Sequence, residues 1–157
     1  MPDTHTFESR LRWPADATQT MPPAVDFSRN NVLSGAGKPD IAASAPSVFG
    51  GDDARYNPEE LLVMSLAQCH LLTYLAIAAR KRITILAYED RATGTLGVGA
   101  AGGKMSMQEV TLRPRVTVAK GTNLATAMAL HDKAHANCFI ANSVNFAVTH
   151  VAEIIEG

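Results

Sequence analysis

The sequence predicts an α+β domain with a mostly antiparallel sheet, a long buried central helix and a second helix. Three observations carry this. Val110 to Val118 alternates strictly between apolar and polar residues, the pattern of a half-buried strand. Asn57-Pro58-Glu59-Glu60 opens a 19-residue apolar run from Leu61 to Ala79 with a strong helix start. The remaining segments give the order β-β-β-α-β-β-α-β, which suits one domain over residues 1–157.

Taken in order, His5 to Trp13 reads as a strand whose apolar members are Phe7, Leu11 and Trp13. Ala15 to Pro23 is a loop marked by Pro14, Pro22 and Pro23. Val25 to Leu33 and Asp40 to Ala43 are short strands around the Gly35-Ala36-Gly37 turn, and Ser44 to Tyr56 is irregular. Asn57 is a natural N-cap, and Pro58 stands at the first helical position, where a missing N–H costs nothing. Glu59 and Glu60 complement the helix dipole in the first turn. Arg80-Lys81-Arg82 does the same at the other end.

Beyond the helix, Ile83 to Gly97 reads as a strand and Gly99 to Gly103 as a turn. Pro114 interrupts the alternating strand and is expected on an edge or at a bulge. Thr122 to Ala136 is the second helix, capped by Thr122 or Asn123, and Cys138 follows a break near Asn137. Val144 to Ile155 closes the fold as a last strand.

Composition removes several functions. Fourteen basic against 15 acidic residues, with no basic cluster, leave no footprint for nucleic acid or an anionic membrane. Gln68, His70 and Thr73 inside the apolar run favour a buried core helix over a membrane span. The polar start Met1 to Thr6 has no signal-peptide apolar region, so the expected location is the cytoplasm. Two cysteines are too few for a secreted disulfide scaffold.

Those cysteines are the chemically informative residues. A thiol in an apolar helix usually packs, and Cys69 or Cys138 alone would read that way. Together they meet the minimum for a redox cycle, in which a peroxide oxidises one thiol to a sulfenic acid and the second condenses with it. Glu59 stands ten residues before Cys69, a rise of ~15 Å along one helix, so it cannot touch that thiol. Any part it takes in chemistry there comes from a second subunit or through intermediaries. His131, His135 and Cys138 follow an i, i+4, i+7 spacing, so a zinc site completed by Cys69 or His70 is a rival reading. Surface histidines on an amphipathic helix are the plain alternative.

At these residues the chain resembles the OsmC/Ohr family of organic-hydroperoxide-reducing thiol proteins. The likeness rests on Asn57-Pro58-Glu59-Glu60-Leu61 followed by Cys69, and on Ala134-His135-Ala136-Asn137-Cys138 followed by Ser143. With the order of elements it spans roughly Phe7 to Ile155. It implies an OsmC-like fold, an intertwined homodimer with active sites at the subunit interface, and no cofactor. It further implies that Cys69 is the peroxidatic thiol, Cys138 the resolving thiol and Glu59 a catalytic glutamate. That glutamate pairs with an arginine that stabilises the thiolate.

In the OsmC-like branch this arginine stands about ten residues before the glutamate, where this chain has Val48-Phe49-Gly50. In the Ohr-like branch it stands about thirty before, where this chain has Ser28-Arg29-Asn30-Asn31. Arg29 is therefore assigned, with Arg55 too close to the helix start to match. Phe139 departs from the family's frequent proline after the late cysteine, and His70, His131 and His135 are not required in its best-known branches. The resemblance implies an organic hydroperoxide as substrate and an external dithiol, typically lipoyl, as reductant. A non-enzymatic dimer of this fold binding an apolar small molecule is a further alternative.

Overall fold

The structure is a computed structural model that describes residues 4–16 and 27–157. The chain divides at Pro58/Glu59 into two compact units. In the first, β1 (Arg10–Arg12), β2 (Asn31–Ser34) and β3 (Ile41–Ala43) form an antiparallel sheet in that order. The strand expected over His5 to Trp13 is thus only three residues long. Most of the expected Ala15 to Pro23 loop, and Val25, lie outside the described residues. The β2–β3 turn closes through Lys38 N–H to the Gly35 carbonyl, with Gly37 at φ 71°.

The second unit holds α1, whose 23 residues Pro58–Arg80 begin at the boundary, and α2 (Leu124–Asn137). Asn123 caps α2, its side-chain oxygen accepting the Thr126 N–H at 2.9 Å. Six strands accompany the helices: β4 (Ile85–Asp90), β5 (Thr93–Val98), β6 (Met105–Leu112), β7 (Pro114–Val118), β8 (Ala147–His150) and β9 (Glu153–Glu156). They pair as β4-β7-β9 and β5-β6-β8. The β4/β7 and β5/β6 pairs are antiparallel, whereas β8 and β9 run parallel to β6 and β7.

Each strand expected as continuous is broken once: at Arg91-Ala92, at Arg113 and at Val151-Ala152. Counting each broken strand as one recovers the predicted order of elements. At the middle break the Arg113 N–H turns to the Asp90 carboxylate at 2.7 Å instead of a ladder partner. Pro114 explains that break. It is not on an edge, as expected, because β7 is the central strand; it is the first residue of β7, where a missing N–H is tolerated. The alternation itself is as read: Val110, Leu112, Pro114, Val116 and Val118 are all buried.

Helix α1 buries Leu66, His70, Tyr74 and Ala78, one stripe at four-residue spacing. Tyr74 and Ala78 pack with Val116, Val118, Ala127, Leu130 and Ala134. Leu66 packs with Val110 and Leu112. Gly94 lets β5 approach α1, since a Cβ there would lie 2.7 Å from both Val63 Cγ2 and Met107 Cε. The expectation of a helix buried on all sides is corrected: Met64, Leu72 and Leu75 are exposed, because one chain covers only one face. By length and composition alone α1 could cross a membrane. Leu66 is fully buried, so Leu66→Ala is expected to cost about 2–5 kcal/mol in urea unfolding.

Candidate functional site

Cys69 lies on the half-buried side of α1, with its backbone carbonyl accepting the Thr73 hydroxyl at 2.8 Å. Cys138 caps the C-terminus of α2 in an extended conformation and is 1% exposed. Its sulfur accepts the Ala141 N–H at 3.5 Å, and its carbonyl accepts the Asn142 N–H at 3.0 Å. Both cysteines are free, and Cys69 lies close enough to Cys138 to influence its thiol. Burial, reinforced by the neighbouring Cys69, pushes the Cys138 thiol up to about 11. Cys138 is therefore protonated at neutral pH. A thiol of that kind attacks nothing itself until its neighbour becomes an electrophile.

Cys69 opens onto a cavity of about 490 Å³ along α1, walled by Leu72, Ala76, Ile77 and Phe139. Glu59 does not reach it. The glutamate lines a different cavity of about 400 Å³ with Val63, Asp90, Arg91 and Met107. Its Oε2 is buried without a hydrogen-bond partner among the described residues. Within one chain, the structure sets Cys69 near Cys138 and leaves Glu59 apart.

Arg29, in the first unit, sits over the Phe27 ring at 4.6 Å. Its Nη1 donates to the Phe27 and Gly50 carbonyls, both at 3.2 Å. Gly50 adopts φ 78°, and a Cβ there would come 2.9 Å from that same nitrogen, so glycine suits the seat on both counts. No carboxylate pairs with Arg29 among the described residues. Arg55 is paired with Asp52 at 3.3 Å.

Among the described residues the histidines are not gathered with Cys138 as the zinc reading required. Cys138 leaves the helical face because its backbone is extended, so it does not follow His131 and His135. Among the described residues no three His, Cys, Asp or Glu side chains are placed to hold a metal ion. His131 instead meets His70, Nδ1 to Nε2 at 3.0 Å, with ring planes only 3° apart, and lies against the Tyr74 ring. His150 packs beside both rings and pairs with Asp132 at 3.2 Å. The i, i+4 spacing suggested a shared ligand; it could not show that a strand residue, His150, completes the group.

Burial first, then the charges of His150 and His135, lowers His70 to about 4. Burial, then His70 and His150, lowers His131 to about 3. Both rings are neutral in the fold, while the unfolded chain binds their protons near pH 6.5. Stability is therefore full above pH 6.5 and falls as pH drops toward 4. Between pH 7.5 and pH 5 the loss is expected to be roughly 2–4 kcal/mol, read by urea unfolding at each pH. His70→Gln should make the profile shallower by roughly half, His131 supplying the rest; an equally steep profile in that variant contradicts the assignment.

The site thus sets two free cysteines, one half-buried on α1 and one buried at the end of α2, in an α+β fold. A family model described as OsmC-like protein matches residues 50–153, and the chain belongs to that family. An OsmC-like protein of unknown function from Vibrio cholerae is 33% identical, with 95% of this chain and 99% of that one covered and a TM-score of 0.80. An organic hydroperoxide resistance protein OsmC from Legionella pneumophila is 19% identical, with 98% of each chain covered and a TM-score of 0.69. The organic hydroperoxide resistance protein OhrB of Bacillus subtilis is also 19% identical, covering 94% and 98%, with a TM-score of 0.62. The last two likenesses establish the fold. Comparison with curated proteins finds no match.

Proposed function

We propose that this protein is a thiol peroxidase that reduces organic hydroperoxides to alcohols. The observation that carries the proposal is the pairing of a half-buried Cys69 with a buried, protonated Cys138 beside an apolar-walled cavity. The Cys69 thiolate attacks the distal peroxide oxygen and the O–O bond breaks. The alkoxide takes up the proton that the Cys69 thiol had released and leaves as alcohol. Cys69 is then a sulfenic acid. Cys138 displaces its hydroxyl, water departs, and a Cys69–Cys138 disulfide remains. An external dithiol, in the resemblance a lipoyl group, takes the disulfide back to two thiols.

In this reading the working unit is a homodimer in the cytoplasm, each chain a single domain, engaging neither nucleic acid nor membrane. Glu59 of one subunit and Arg29 serve the Cys69 thiolate of the other. Three features support that arrangement. Glu59 Oε2 is buried without a partner among the described residues, Arg29 has only carbonyl acceptors there, and α1 exposes Met64, Leu72 and Leu75.

Peroxide consumption in the presence of a dithiol tests the function. Cumene hydroperoxide is expected to be consumed faster than hydrogen peroxide, because the cavity wall favours an apolar group. Cysteines that stay reduced under excess organic hydroperoxide would instead favour a non-enzymatic binding protein.

A further inference from the structure

The cavity that Cys69 opens onto has a second end. Arg80, in the last turn of α1, lines it together with Cys69, and the residues between them are Leu72, Thr73, Ala76 and Ile77. No Asp or Glu lines this cavity, in contrast to the Glu59 cavity, which Glu60 and Asp90 also line. The exposed Arg80 side chain forms no hydrogen bond or ion pair with any described residue. The cavity therefore presents a thiol, a wall that is apolar apart from Thr73 and Asn137, and then a guanidinium without a counterion among the described residues.

From this arrangement we infer that Arg80 is a specificity-determining residue that selects hydroperoxides carrying an anionic group at the end of the chain remote from the peroxide. The inference rests on the thiol-peroxidase reading of Cys69. Eleven residues of helix rise ~16 Å, and the long Arg80 side chain leans back toward the N-terminus farther than the short Cys69 side chain does, leaving roughly 11 Å between thiol and guanidinium. An extended chain of about nine bonds spans that gap at the ~1.2 Å per bond of extended covalent geometry. A shorter acid cannot touch both ends. A neutral ester can reach the thiol but gains nothing from Arg80, whereas a carboxylate gains a charge-assisted, bidentate partner.

The test is a single-turnover measurement of Cys69–Cys138 disulfide formation without reductant, so that a reductant's own charge does not enter. The probes are 10-hydroperoxydecanoate, its methyl ester and 4-hydroperoxybutanoate. The wild-type protein is expected to react roughly tenfold faster with the long acid than with its ester, the size of one charged hydrogen bond. In Arg80→Gln the acid-to-ester ratio should fall to about one, in Arg80→Lys part of it should remain, and added salt should shrink it. The short acid should show no advantage.

Equal rates for the long acid and its ester in the wild type would overturn the inference while leaving the peroxidase reading standing. So would a fall of both rates in Arg80→Gln with the ratio intact, which is what loss of a helix-end charge alone would give. Failure of every hydroperoxide to oxidise Cys69 would remove both.

Discussion

Replacing Cys69 by serine is expected to lower organic hydroperoxide reduction by about 10³-fold or more, since no other group in the cavity can accept the peroxide oxygen. Cys138→Ser should behave differently. Its Cys69 should still react once with peroxide, because the first step needs no second thiol. Turnover should then stall at a sulfenic acid, which a dimedone-type reagent captures and mass spectrometry locates. The buried position of Cys138, with its thiol pushed up to about 11, separates the two roles. A thiol held protonated is a poor first nucleophile, yet it is well placed to meet a sulfenic acid that forms beside it. Equal losses of single-turnover oxidation in both variants would contradict this division of labour.

The second large effect concerns Glu59. Under the proposed mechanism, Glu59→Gln is expected to slow the reaction by roughly 10²-fold, through loss of the carboxylate proposed to orient the arginine on the thiolate. Its informative use is in mixed dimers with Cys69→Ser. Each homodimer lacks one half of both sites. A mixed dimer in which Glu59 serves the partner's Cys69 contains one complete site. Random exchange makes half the dimers mixed, and one of their two sites works, so about one quarter of wild-type activity should return. If Glu59 acted within its own chain, mixing would restore nothing. Glu59 and Cys69 line different cavities of one chain, so recovery is the expected outcome.

Much of the fold was legible because its signals are local. Pro58 at the first turn and the two following glutamates mark the start of α1 where it is observed. The alternation from Val110 to Val118 survives even across the break, because side-chain period depends only on extended backbone. Other features depend on distant partners. The breaks at Arg91-Ala92 and Val151-Ala152 follow the one at Arg113, and no nearby residue announces them. The exposed side of α1 looked like core because a sequence shows that a helix is apolar, not how much of it one chain can cover.

The site divides in the same way. The spacing of Glu59 and Cys69 on one helix already required separation, and the geometry agrees. That Cys69 and Cys138 come within reach of each other is a matter of how α1 and α2 pack, and only the family resemblance anticipated it. His150 went unnoticed as a polar residue of a strand. Arg80 passed as a helix-end charge, because nothing in its neighbours' identities shows that it shares a cavity with Cys69.

The most direct measurement is a titration of the fully reduced protein with cumene hydroperoxide, counting free thiols, cumyl alcohol and disulfides together. One equivalent per chain should remove two thiols, release one alcohol and leave a single bond between Cys69 and Cys138 of the same chain. Thiols that persist, or an alcohol yield without that bond, would contradict the Cys69–Cys138 redox pair.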